Sequence, residues 1–368
     1  MGAMCLAAAG LLLAAGESSA AELTADAAFA AAQAAARYMI SVETADGRFL
    51  YEFDFLAGRF TGSDNIVRQA GGAYGLSQYV FLGGEEAARE PARRALDYAL
   101  KHPATIGDGV LVSADGTAGG ARVGATALAL LAAVYQLRMA PDAGLREAAS
   151  AWVRGLAATQ RADGTFPSPP DAGAADSYAS GEAWYGLARW VDLQPDDALA
   201  GRLVTAADKG LMAHFLEHPD QQFFHWGLMA SAQRYATTGD ARFLDFIEDM
   251  GVKYLNTLAP APSPGANSCA AAEGLGAGLV ALGKGGRTGE LVAALRQRME
   301  TDLQSSLALQ VRPGQTRITF GAQNFYEDPK LANFAGGFRN GAQSLAMRID
   351  STQHCLSALM TYRQLAAR

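Results

Sequence analysis

Residues 121–138 read ARVGATALALLAAVYQLR. Between Arg122 and Arg138 there is no charged residue, and small or apolar side chains occupy every face of the helix that the composition implies. A helix of that kind must be enclosed by protein on all sides. Five other stretches share its character, rich in small residues and nearly free of charge: 66–82, 177–191, 222–237, 267–284 and 349–366. Between them lie segments that are more polar and carry charges at helical spacing. These are predicted at 26–42, 85–101, 143–159, 197–217, 241–257 and 287–306. Turn signals separate the two members of a pair at Gly83-Gly84, Pro141-Asp142, Pro195-Asp196, Gly239-Asp240 and Gly285-Gly286.

The chain is therefore an internal repeat of helix pairs. Six apolar helices ringed by six amphipathic ones make an all-α (α/α)6 toroid, with inner helices buried and outer helices wet on one face. An open solenoid of helix pairs and a two-domain helical chain are the competing architectures. No shift in composition marks a domain boundary, so residues 22–368 are expected to form one domain. The linker-like run APAPSPGA at 259–266 is read as a loop. Glycines inside the apolar helices, among them Gly71, Gly186 and Gly274, each cost about 1 kcal/mol of helix propensity against Ala and so need a packing reason. A crowded inner ring supplies it. Asp-Gly turns stand in three of the long loops, at 46–47, 115–116 and 163–164. Short strands are expected at the mouth within Arg48–Phe55 and Arg317–Phe325. The loop at 307–348 is the longest and is a candidate lid.

Composition narrows the function classes. The chain has 368 residues, half of them hydrophobic and 18% charged, which excludes general disorder. Its formal charge of −7 offers no basic footprint for nucleic acid. A mean hydropathy of +0.03 excludes a polytopic membrane protein. Residues 5–15 read CLAAAGLLLAA, too short to span a bilayer but suited to a cleaved export signal over 1–21. A basic residue is missing from its start, since none precedes Arg37. The mature chain is then expected to be periplasmic or secreted, without an integral membrane segment. Export would place Cys269 and Cys355 in an oxidising compartment, where they either pair or stay buried separately.

In a toroid of this order the inner helices run the same way, and their N-termini open on one face. Helix N-termini carry positive partial charge and favour anionic groups. The reactive side chains in the first turns of the inner helices are the candidate site. Glu182, His225, Glu273, Asp350 and His354 are the acid/base candidates. Arg68, Gln69, Arg122, Tyr178, Trp226, Arg339, Arg348 and Gln353 are the candidates for substrate binding. Each also has a plain structural reading as a core acid, a satisfied buried histidine or an ordinary core aromatic. A buried Glu has a raised pKa and can serve as a general acid. Asp350 and His354 stand one helical turn apart, so the carboxylate can orient the imidazole. Several arginines at the mouth of an acidic protein favour a substrate that bears carboxylates. No metal site is expected: the His214/His218 pair lacks a matching carboxylate. No cofactor is expected either, as P-loop, Rossmann and GxSxG patterns are absent.

The segments NIVRQAGGAYGL (65–76), YASGEAWYGLARW (178–190), HWGLMASAQRYATTGD (225–240) and RIDSTQHCLSAL (348–359) resemble pieces of the six-hairpin toroid proteins. That superfamily includes glycoside hydrolases, unsaturated-glucuronyl hydrolases, polysaccharide lyases and sugar epimerases. QRADGTF (160–166) is also similar to repeats of terpene cyclases and protein prenyltransferases, but the aspartate-rich motifs of cyclases are absent. The resemblance implies a carbohydrate-active enzyme, a hydrolase or lyase on a uronate-containing glycan or else an epimerase. The non-enzymatic alternative is a periplasmic glycan-binding or polysaccharide-assembly protein. Catalytic acids lie in different places across the superfamily, so the resemblance assigns no residue.

Overall fold

The computed structural model describes residues 23–320 and 324–367. The expected export signal at 1–21 lies outside the described residues. Among the described residues twelve α-helices alternate between two layers. The inner layer holds α2 (Ile66–Phe81), α4 (Val123–Met139), α6 (Ser177–Leu193), α8 (Gln221–Thr238), α10 (Cys269–Lys284) and α12 (Ile349–Ala366). The outer layer holds α1 (Ala25–Ser41), α3 (Arg89–Leu100), α5 (Ala143–Thr159), α7 (Ala198–Glu217), α9 (Arg242–Lys253) and α11 (Glu290–Leu307). Each inner helix packs against the next, and α12 packs against α2 to close the ring. The architecture is the (α/α)6 toroid, and closure removes the open solenoid.

The burial pattern follows the composition. Every residue of α4 from Val123 to Leu137 is buried, as a helix without a polar face requires. The outer α3 and α9 are strongly amphipathic and bury a single stripe. Close approach depends on small residues at the contacts. A Cβ on Gly186 would stand 3.1 Å from the carbonyl oxygen of Ala127 in α4. One on Gly274 would stand 2.5 Å from the Cα of His225, so α10 and α8 meet there backbone to backbone.

The loops follow their turn chemistry. Gly47, Gly116 and Gly164 take φ of +90°, +75° and +84°, the left-handed region that the Asp-Gly turns imply. Side chains of Asn65, Asp142, Asp176, Asp197 and Asp220 accept from backbone N–H groups in the first turns of α2, α5, α6, α7 and α8. Each satisfies donors that a helix start leaves open.

Short strands frame the mouth. β1 (Glu52–Asp54) pairs antiparallel with β2 (Arg59–Phe60) and with β7 (Ala346–Arg348), which runs directly into α12. β5 (Arg317–Phe320) pairs with β6 (Asn324–Glu327), so both stretches expected to be extended contain strand. A third pair, β3 (Pro103–Ile106) with β4 (Gly109–Val112), was not anticipated. These four-residue strands are too short to show a period. Within the long loop, the described residues Val311, Ile318, Leu331 and Phe338 are buried. Gln310 Nε2 ties it to the Ala31 carbonyl of α1 at 2.9 Å.

Cys269 and Cys355 form a disulfide, with Cα atoms 4.7 Å apart across 86 residues of sequence. It joins the first turn of α10 to the second turn of α12. Cross-linking so long a loop restricts the unfolded chain, typically for about 2–4 kcal/mol. Replacing both cysteines by serine is expected to lower the unfolding free energy by roughly that amount, measured by urea denaturation. An unchanged denaturation midpoint would show that the bond does not form.

Candidate active site

Side chains from the first turns of five inner helices meet at one end of the ring. On one side, Arg68 of α2 and Arg348 at the end of β7 converge on Asp350 of α12. Arg68 Nε lies 3.3 Å and an Arg348 terminal nitrogen 3.1 Å from Asp350 Oδ2. The second oxygen, Asp350 Oδ1, is buried without a protein partner. Arg68 also lies over the Tyr178 ring, 5.9 Å from its centre.

Glu182 of α6 faces the same arginine. It is 2% exposed, and burial pushes its carboxyl up to about 8; the nearby Arg68 charge works against that rise and Asp176 adds to it. Desolvation wins because removing a carboxylate from water costs more than one partly exposed guanidinium returns. Space for the carboxyl comes from α4, where a Cβ on Gly124 would sit 2.0 Å from Glu182 Oε2. Any side chain at that position displaces the acid.

Glu273, His354 and His225 form the other side. His354 Nδ1 and Glu273 Oε2 are 2.8 Å apart, so the carboxyl that orients this imidazole is Glu273 and not Asp350, which turns to the two arginines instead. Tyr74 donates to Glu273 Oε1 at 3.1 Å and receives a bond from Gln78 Nε2. His225 meets His354 edge to face, with ring centres 5.4 Å apart. It also lies 6.1 Å from the Tyr178 ring, which joins the two halves of the site. Burial, then the neighbouring His354 and Arg68, lowers the His225 pKa well below its ordinary 6.5. The imidazole is therefore neutral at pH 7, and its Nε2 has no protein partner. One donor atom each from His225, Glu273 and His354 lie within 4.8 Å of one another. Two imidazoles and a carboxylate at that spacing are also a set able to take a divalent cation. They stand on three helices, so no ligand spacing in the sequence announces them.

The remaining candidates divide. Arg122 stands just before α4, without a side-chain capping bond, and lines a cavity with Glu182 and Tyr178. Trp226 is buried beside His354, 6.0 Å between ring centres, with Nε1 unpartnered. Gln353 wedges against Gly71 and Gly75 of α2. Two candidates serve the framework instead. Gln69 binds both backbone groups of Phe49, at 2.7 and 2.9 Å, and also Asp64. Arg339 donates to the Ala342 carbonyl and lies over the Phe320 ring, holding the long loop. Tyr74 lies two turns into α2, beyond the first turns where the sequence marks polar residues, and only the fold brings it to Glu273.

No family model matches the chain, and no curated protein matches it. Solved structures do. An unsaturated glucuronyl hydrolase specific for heparin shares 12% identity over 93% of this chain and 98% of its own, with a TM-score of 0.65. An α-1,6-mannanase from a Salegentibacter species shares 12% identity over 92% and 99%, with a TM-score of 0.61. A cellobiose 2-epimerase from Bacillus thermoamylovorans shares 10% identity over 88% and 95%, with a TM-score of 0.58. All three cover nearly the whole toroid. The chain thus has the (α/α)6-toroid fold of these enzymes, and at such identities the likeness is one of fold.

Glu182 couples the site to stability. The folded state holds its proton up to about pH 8, whereas a free carboxyl releases it near 4.5. Between those values the folded state binds more protons, so stability falls as pH rises. The contribution is complete below pH 4.5 and gone above about pH 8. Glu182→Gln keeps a neutral side chain at every pH. The variant is expected to lose less thermal stability than the wild type between pH 5 and pH 9, measured by paired melts. Parallel curves would mean that Glu182 is ionised in the fold.

Proposed function

We propose that the protein is an exported carbohydrate-active enzyme that cleaves a uronate-containing glycan by general acid/base chemistry at this mouth. One observation carries the reading: a protonated buried acid, Glu182, shares a cavity wall with Arg68, Arg122 and Tyr178. Such a group can give a proton to a leaving oxygen at neutral pH. The guanidinium groups beside it suit a sugar carboxylate, which matches their planar donors. The toroid fold of sugar-processing enzymes supports the substrate class.

In hydrolysis, Glu182 protonates the glycosidic oxygen and Asp350 Oδ1 accepts a proton from the attacking water. In elimination, neutral His225 removes the proton next to the sugar carboxylate, Arg68 and Arg348 stabilise the negative charge that develops, and the glycosidic oxygen takes the proton of Glu182 as its bond to carbon breaks. Export is supported by the apolar run at 5–15 and by the buried disulfide. Among the described residues no helix is long and apolar enough to cross a membrane.

The facing imidazoles of His225 and His354 favour a second reading. Two bases 5.4 Å apart, one oriented by Glu273, can remove a proton from one face of a sugar carbon and return it to the other. Mass spectrometry of acidic and neutral glycans incubated in heavy water separates these outcomes. Fragments that gain water indicate hydrolysis, and unsaturated fragments indicate elimination. Carbon-bound deuterium without cleavage indicates epimerisation. A panel that emerges unaltered would overturn the enzymatic reading in favour of glycan binding.

Glu182→Gln is expected to lower cleavage roughly 10²-fold or more, with the melt at pH 5 nearly unchanged. His354→Asn, whose amide can keep the bond to Glu273, is expected to do the same. Retained activity in both variants would move the chemistry elsewhere.

A further inference from the structure

His225, Glu273 and His354 leave bonding capacity unused where the protein admits little water. His225 is 3% exposed and Glu273 0%, while the His354 side chain keeps 12%. His225 Nε2 is buried and has no protein partner. A buried polar atom without a partner is rare and points to a ligand, a water or an ion. Glu273 is the second sign. Tyr74 donates to its Oε1, and His354 Nδ1 sits 2.8 Å from its Oε2. Among the described residues no lysine or arginine pairs with it. A carboxylate taken out of water needs positive charge beside it.

The three helices that carry these groups are fixed to one another at this level. The Cys269–Cys355 disulfide ties α10 to α12, one helical turn from Glu273 and next to His354 in sequence. A Cβ on Gly274 would stand 2.5 Å from the Cα of His225, so no side chain separates α10 from α8 there. Ligand groups mounted on rigid helices keep their geometry better than groups on loops. His225 also lines a cavity of about 290 Å³ with Tyr178 and Asn267, which gives room for a water or a sugar oxygen.

We propose that His225, Glu273 and His354, whose donor atoms lie within 4.8 Å of one another, bind one divalent cation of the zinc class and leave a further position for an oxygen ligand. Two imidazoles with a carboxylate favour such an ion over calcium or magnesium, which take oxygen ligands. Donors about 2.0–2.2 Å from zinc stand roughly 3.4 Å apart in a tetrahedron, so the set draws in by about 1 Å on binding. Side-chain torsions supply that movement without shifting the helices. The set does not include Glu182, Arg68 or Asp350, so the site stands whether or not the proposed acid/base chemistry does. A bound ion would take the imidazole lone pairs that elimination or epimerisation needs, and leave hydrolysis by Glu182 and Asp350 open.

The test uses the full chain with its disulfide intact, stripped of metal by a chelator that is then dialysed away. Zinc chloride titrated into it by calorimetry is expected to bind at one ion per chain, and saturating zinc is expected to raise the melting temperature. Cobalt(II) in place of zinc is expected to give the intense visible absorption of a four-coordinate ion. His225→Ala and Glu273→Gln are each expected to weaken zinc by roughly tenfold or more and to abolish the cobalt band. His214→Ala, in the exposed histidine pair of His214 and His218, is expected to change neither. Melts of the metal-free variants come first, and His225→Gln replaces His225→Ala if that variant does not fold.

Wild-type protein that melts normally and binds no zinc would overturn the site while leaving the acid/base reading intact. Binding that survives in both ligand variants, or that disappears in His214→Ala, would place the ion elsewhere and overturn the assignment. A glycan panel that emerges unaltered would count against the proposed chemistry and not against the metal site.

Discussion

Everything in this protein depends on enclosing helices that have no polar face. A helix such as α4, buried from Val123 to Leu137, is stable only when neighbours cover it on every side. The solution is a closed ring, completed where α12 meets α2. Each inner helix is followed by an outer one that returns the chain to the starting end. All inner N-termini consequently share one face. The site is a product of that closure, since Arg68, Glu182, His225, Glu273 and Asp350 each stand near the start of a different inner helix.

Burial then shifts the protonation of ordinary side chains. The desolvation that raises Glu182 to about 8 also lowers His225 well below 6.5. One environment thus holds an acid with its proton and a base without one, which is the pairing acid/base catalysis needs. The arrangement relies on places where no side chain fits. Gly124 makes room for the Glu182 carboxyl, and Gly274 brings α10 against the backbone at His225.

The disulfide belongs to this pattern. Cys269 is one helical turn from Glu273, and Cys355 follows His354 in sequence. The covalent link between α10 and α12 therefore stands next to the carboxylate–imidazole pair that spans the same two helices. Tyr74 of α2 braces Glu273 from a third direction. A buried side chain held from several sides keeps its orientation better than one held at a single contact.

The sequence by itself determined the repeat, the two helix types and the end of the ring where polar side chains gather. These follow from local rules: composition marks enclosure, Asp-Gly marks turns, and helix starts attract particular side chains. It also singled out most of the side chains that meet at that end, because a polar side chain in the first turns of a wholly apolar helix is conspicuous. The tertiary structure alone decided which of them meet. Gln69 turned to the Phe49 backbone and Arg339 to the long loop, while Tyr74 entered from two turns down. It alone paired Cys269 with Cys355, brought His225, Glu273 and His354 together, and set Asp350 between two arginines. The physical reason is distance along the chain. Periodicity and capping act within a few residues, whereas these contacts join helices that become neighbours only when the ring closes.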